Sequence, residues 1–182
     1  MTWKRLDRKT IYDTKYLKVY EDKVEYPNGN VADSYSVFSL PDVVIVLAQD
    51  KEKNIITLLE YKYGPDEKLR NFPAGHIEEG EEPVAAAQRE LLEETGYGGG
   101  EFSLAGPVRE FPTKSLSTAY IVKAQGVEKI STQNLDENEE LSVVLVSTQE
   151  LQKEIEEGKW IDAKCLAGIT LTHILDNSPL NP

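Results

Sequence analysis

The sequence holds a single cysteine, Cys165, so no internal disulfide can form. It has only two histidines, His76 and His173, and neither belongs to a group spaced for metal binding, so both read as structural. No apolar run is long enough to span a bilayer. The N-terminus, Met1 to Arg8, has no apolar segment behind its charges and does not resemble a secretory signal. Positive charge is also in short supply. Twenty Lys and Arg stand against 32 Asp and Glu, for a net charge of -12, which argues against general affinity for nucleic acid. These features lead to the expectation of a cytoplasmic protein with neither nucleic-acid nor membrane partners. An acidic protein can still bind a phosphorylated small molecule, through bridging cations or a local basic cluster.

The 182 residues suffice for one substantial core with a small accessory element. Residues 16–26 and 31–40 alternate apolar and polar around the turn Pro27-Asn28-Gly29-Asn30, as in an antiparallel hairpin. Pro41 is a plausible boundary, dividing an N-terminal β element, 1–40, from a main domain, 41–182. Val43 to Ala48 is a continuous apolar run, expected of a strand buried on both faces, and Ile55 to Leu59 forms a second. Further strands are expected near 102–111, 119–124 and 141–146. Helices are expected over 83–95, with an early Pro83 and a stop at Gly96, over 148–157, and over 163–175. The order suggests a mixed sheet with helices on both faces. Trp3 and Trp160 read as packing anchors.

The first of these helices carries the chemistry. Glu90, Glu93 and Glu94 stand at i, i+3 and i+4 and share one face. Val84, Ala87 and Leu91 form an adjoining stripe for the sheet, and small Ala86 reads as leaving room beside the acidic face. Like charges near a helix C-terminus repel one another and oppose its dipole. Hard cations such as Mg²⁺ or Mn²⁺ would relieve this, whereas the plainer reading is a solvated acidic face. The helix alone leaves both open.

The wider spacing runs Gly75, five residues, Glu81, seven residues, Arg89-Glu90-Leu91, one residue, Glu93-Glu94, one residue, Gly96-Tyr97. Every specified position resembles the Nudix box, G-x5-E-x7-R-E-U-x-E-E-x-G-U, where U is apolar. The resemblance implies a Nudix α/β/α sandwich with a mixed sheet, and hydrolysis of a nucleoside diphosphate linkage with Mg²⁺, for which Mn²⁺ can substitute. It also implies that Glu90 and Glu94 are the principal metal ligands and that the Ala74 carbonyl is a further one. Glu93 would support or add to them, Arg89 would orient the carboxylates, and Glu81 would brace the loop.

The flanks are similar to the ADP-ribose pyrophosphatase and nucleoside-diphosphate-sugar branch: an N-terminal hairpin, then Glu60-Tyr61-Lys62-Tyr63, then Phe72-Pro73-Ala74. That likeness implies a nucleotide-sugar substrate contacted by Lys62 and Pro112, and an acidic stretch, 135–141, supplying a base at Glu137 and a metal ligand at Glu139, with Glu140 as an alternative. It further implies a homodimer built through the N-terminal strands, with Tyr16, Tyr20 or Tyr35 stacking on the base. Three features depart from the branch: Lys62 stands where Arg is common, Asn71 where Glu is, and 112–117 lacks a Pro-Gly step. They leave room for another substrate, a nucleoside triphosphate or dinucleoside polyphosphate. A non-catalytic nucleotide sensor is a further alternative, disfavoured by the intact box.

Overall fold

A computed structural model describes residues 2–135, 140–160 and 162–174. Two compact units emerge, one of residues 1–42 and 109–118, the other of 43–108 and 119–182.

The first unit is a three-stranded antiparallel sheet of β1 (Lys4–Asp13), β2 (Lys18–Glu25) and β3 (Val31–Ser39), in that order. The hairpin expected from the alternating residues is β2–β3, and β1 extends it by a strand. Arg8 on β1 and Asp22 on β2 form a bidentate pair, with both bonds at 2.7 Å. The Asp22 carboxyl is held below the usual carboxylate range, chiefly by this hydrogen bond, against the opposing effect of burial. Residues 109–118 lie along β3: Phe38 N–H donates to the Lys114 carbonyl at 3.0 Å, and Leu116 N–H donates to the Phe38 carbonyl at 2.9 Å.

The second unit contains β4 (Val43–Asp50), β5 (Ile55–Lys62), β6 (Glu67–Asn71), β7 (Ala74–His76), α1 (Pro83–Thr95), β8 (Tyr97–Gly98), β9 (Glu101–Val108), β10 (Ala119–Lys129), β11 (Leu141–Val146), α2 (Thr148–Glu156) and α3 (Ala163–Thr172). The sheet runs β11-β5-β4-β10-β8, with β6 on β5, β7 on β4 and β9 on β10. β4 and β10 are parallel, while β5 and β7 pair antiparallel with β4. The sheet is therefore mixed.

The apolar run of β4 divides by parity between two cores, as a strand's period of two requires. Ile45 and Leu47 join Ile121, Leu151 of α2, and Cys165 and Ile169 of α3. Val44, Val46 and Ala48 join Val122, Ala124, and Ala86, Ala87 and Leu91 of α1. Helices thus cover opposite faces, which is the α/β/α sandwich. Ala86 packs in this second core, because the stripe facing the sheet is wide enough to include both alanines. Burying Leu91 contributes about 2 kcal/mol. The expected strand over 102–111 ends at Val108, since 109–118 leave it for β3.

Candidate active site

The helix carrying the acidic residues is bounded by local chemistry. Glu82 precedes it in extended conformation with no side-chain cap, and Pro83 opens it where a missing N–H costs nothing. Gly96 closes it at φ 71°, a left-handed conformation that glycine adopts without strain, and its N–H donates to the Leu92 carbonyl.

Arg89 organises the carboxylates. Its Nε and Nη2 donate to the two oxygens of Glu81 at 3.0 and 2.9 Å, and Nη2 also reaches the His76 carbonyl at 2.9 Å. Its Nη1 donates to Glu90 at 2.7 Å and to Glu93 at 3.3 Å. One planar cation therefore ties the loop before the helix to two of the three helical carboxylates, a geometry a lysine cannot reproduce. The Glu81 carboxyl is held below its ordinary range, first by the Arg89 hydrogen bond. Arg89 is held protonated well above the ordinary guanidinium value, first by Glu81 and further by Glu90, against the cost of burial. Glu81 also accepts from the Glu78 N–H at 3.0 Å, which braces the loop directly.

Glu94 is buried, and its carboxylate accepts from the Ala74 N–H at 2.9 Å. This bond links the last turn of α1 to β7, twenty residues earlier. Gly75 follows Ala74 and leaves the space in which the Glu90 carboxylate lies. A Cβ there would meet its two oxygens at 2.0 and 2.3 Å. β7 and α1 thus bring Ala74, Gly75, Glu90 and Glu94 together.

Among the described residues no three acidic, histidine or cysteine side chains stand close enough to enclose an ion as placed. Arg89 sets the spacing of these carboxylates. The donor set still suits a hard divalent cation: it is all oxygen, it is half-buried or buried, and the Gly75 clearance is shaped around a carboxylate.

Other expected site residues are distributed as follows. Lys62, at the end of β5, has its ammonium 2.6 Å from Glu60, which also accepts from the buried Asn71 amide at 2.9 Å. The two branch departures, Lys62 and Asn71, are therefore joined through a carboxylate that periodicity did not single out. Register could have suggested it, since Glu60 and Lys62 share a strand face. Tyr16 is exposed beyond the end of β1, with Lys15 over its ring at 5.0 Å. Tyr35 donates to the Thr113 carbonyl at 2.9 Å, and Lys114 covers its ring at 3.5 Å. Arg8 lies 4.4 Å over the Tyr20 ring. Trp3 packs edge-on against Tyr26 and Tyr35, at 4.5 and 5.4 Å, while remaining half exposed. Pro112 is exposed within the segment along β3. Glu137 and Glu139 lie outside the described residues. Glu140 is exposed immediately before β11, whose first residue, Leu141, stands opposite Glu60.

Residues 39–168 match the NUDIX domain. The chain belongs to the NUDIX family. Residues 3–38 of this NUDIX protein match the nucleoside diphosphate sugar hydrolase N-terminal domain. The chain is 32% identical to the ADP-ribose pyrophosphatase of Bacillus subtilis (strain 168), over 88% of its own length and 87% of that protein's. It is 27% identical to the methanol dehydrogenase activator of Bacillus methanolicus, over 91% and 90% of the two chains. It is 31% identical to the ADP-sugar pyrophosphatase of Mus musculus over 66% and 54%. Among solved structures, an ADP compounds hydrolase superposes with a TM-score of 0.83 at 24% identity, covering 95% of this chain and 93% of that one, and so shares the fold. No described helix is long and apolar enough to cross a membrane.

Proposed function

We propose that this NUDIX protein is a metal-dependent hydrolase of the diphosphate linkage in ADP-ribose or related nucleoside diphosphate sugars, releasing a nucleoside monophosphate and a sugar phosphate. The observation that carries this reading is the carboxylate array of α1, tied by Arg89 to Glu81 and by Glu94 to the backbone of Ala74. The similarity to ADP-ribose pyrophosphatase over most of both chains supports the substrate class. So does the N-terminal match to nucleoside diphosphate sugar hydrolases.

A divalent ion, which we take to be Mg²⁺ with Mn²⁺ able to substitute, would neutralise the diphosphate and lower the pKa of water. Glu90, Glu94 and the Ala74 carbonyl are the residues to hold it, with Glu93 in support. Hydrolysis adds water across the P–O–P bridge. The water oxygen bonds to one phosphorus, the bridging oxygen leaves with the other phosphate, and the water's proton passes to a carboxylate. We assign that carboxylate to Glu137, with Glu139 as a further ligand and Glu140 as the fallback, on family resemblance. Arg89 keeps Glu90 and Glu93 aimed while staying charged throughout, because its proton is held so tightly. Lys62, steadied by Glu60, is the candidate cation for the substrate phosphates, and Pro112 is a candidate contact.

The three-stranded N-terminal sheet, whose β1 is exposed along nearly its whole length, is the proposed homodimer surface. Tyr16 and Tyr35 are its candidates for base contacts. The lone buried cysteine suits a reducing compartment, and we place the protein in the cytoplasm.

The test is hydrolysis of ADP-ribose by purified protein with Mg²⁺, with Glu94→Gln losing most of the rate. An active Glu94→Gln enzyme would overturn the ligand assignment. A substrate panel compared by kcat/KM decides between nucleotide sugars and the alternatives. Preference for a nucleoside triphosphate or dinucleoside polyphosphate would move the substrate, and binding without turnover would make the protein a sensor.

A further inference from the structure

The last turn of α1 is gripped by a single stretch of chain that lies more than thirty residues later. Asn134 N–H donates to the Glu93 carbonyl at 2.8 Å, and Gln133 Nε2 donates to the Glu94 carbonyl at 2.7 Å. Lys129 Nζ donates to the Thr95 carbonyl. The N–H groups of Ile130 and Ser131 both donate to the Gly96 carbonyl, at 2.9 and 3.1 Å. A helix ordinarily leaves its final carbonyls without intrahelical donors. Here four consecutive ones, from Glu93 to Gly96, are met by residues 129–134.

Gly96 fits this strap as closely as it fits the turn. A Cβ at Gly96 would stand 2.2 Å from the Ser131 carbonyl oxygen and 2.9 Å from Lys129 Nζ. The strap therefore approaches nearer than any side chain at that position would allow, which is independent of the left-handed φ that also calls for glycine.

The turn being held is the one that carries Glu93 and Glu94. Without a cation, their mutual repulsion and the negative end of the helix dipole both favour fraying there. An ammonium and an amide N–H placed against those carbonyls oppose that tendency, while the three backbone donors fix the turn's rotation on the sheet. Ligand carboxylates hold a metal well only when their own supports are rigid. We infer that Gln133 and Lys129 are positioning residues for divalent-metal binding, acting through the backbone of α1 and touching neither ion nor substrate. This rests on the proposed reading of α1 as the metal-binding helix.

The experiment measures Mn²⁺ binding by full-length protein without substrate, using the electron paramagnetic resonance signal of free Mn²⁺. The chains compared are wild type, Gln133→Leu, Lys129→Met and Lys129→Arg, each checked for folding by circular dichroism. Gln133→Leu and Lys129→Met are expected to weaken binding about tenfold, with Lys129→Arg restored toward wild type. In ADP-ribose hydrolysis the same two variants should need correspondingly more metal for half-maximal rate, and kcat at saturating metal should stay at the wild-type level. If one variant fails to fold, the other decides. Binding within about threefold of wild type in the folded variants, whatever their Tm, reduces the strap to a helix cap and overturns the inference. Wild-type protein that binds Mn²⁺ but hydrolyses no nucleotide sugar would defeat the substrate reading and leave this inference standing. Wild-type protein that binds no Mn²⁺ would defeat both.

Discussion

Gly75 and Glu90 approach so closely that a Cβ on the glycine would stand 2.0 Å from the glutamate carboxyl carbon. The glycine opening the box is therefore a matter of clearance for a carboxylate. Gly75→Ala should displace the Glu90 side chain while leaving α1 folded, since Leu91 and the two alanines keep their core contacts. The expected result is a loss of about a hundredfold in kcat/KM with a small change in Tm. Near-wild-type activity in Gly75→Ala would show that the position of Glu90 is immaterial.

Arg89 makes five hydrogen bonds, to Glu81, Glu90, Glu93 and the His76 carbonyl. Lysine keeps the charge but lacks the planar fork, so Arg89→Lys can satisfy only part of this set. We expect kcat to fall by about tenfold or more, with KM changed less, because the carboxylates lose their aim rather than the substrate its contacts. Steady-state kinetics on ADP-ribose checks this, and full activity of the lysine variant would refute the orienting role.

The Arg8–Asp22 pair is the polar centre of the N-terminal sheet. Asp22→Asn leaves the guanidinium partly buried without its counter-charge and should cost about 2 kcal/mol. Because the folded pKa of Asp22 lies below its ordinary value of 3.8, the pair's contribution is fully present above that value. It is lost as pH falls through the folded pKa. Denaturant titrations of wild type and Asp22→Asn should differ by a constant amount near neutrality and converge only in more acidic solution. A gap that stays the same at every pH would disprove the ion pair's contribution.

Cys165 is buried on the core-facing side of α3, and burial pushes its thiol up to about 12. Native protein should therefore leave a thiol reagent unreacted at neutral pH, and the cysteine should titrate only on unfolding. Rapid labelling of the folded protein would place Cys165 nearer the surface.

Much of α1 was legible in the sequence, because its signals are local. Pro83 at the start, Gly96 at the stop and carboxylates at helical spacing all act within a few residues of one another, and α1 spans 83–95 as expected. The same holds for α2, whose Ser147 and Glu150 form a reciprocal capping box. The strands β4 and β5 were equally legible from their apolar runs, Val43 to Ala48 and Ile55 to Leu59. The short strands β6, β7 and β8 were not. They are too brief to show a period, and exist because a neighbouring strand offers them hydrogen bonds.

What the sequence determined by itself was the chemistry of the box: an oxygen-rich, acid-bearing helix with one arginine to order it. Only the tertiary structure decided how that helix is supported. The Ala74 N–H bonded to Glu94 and the grip of residues 129–134 on the last turn of α1 both join a helix to chain that is distant in sequence and that only the folded packing brings alongside it. A pattern of residue types records which groups can donate and accept. It does not record which of them the folded backbone will bring within hydrogen-bonding distance.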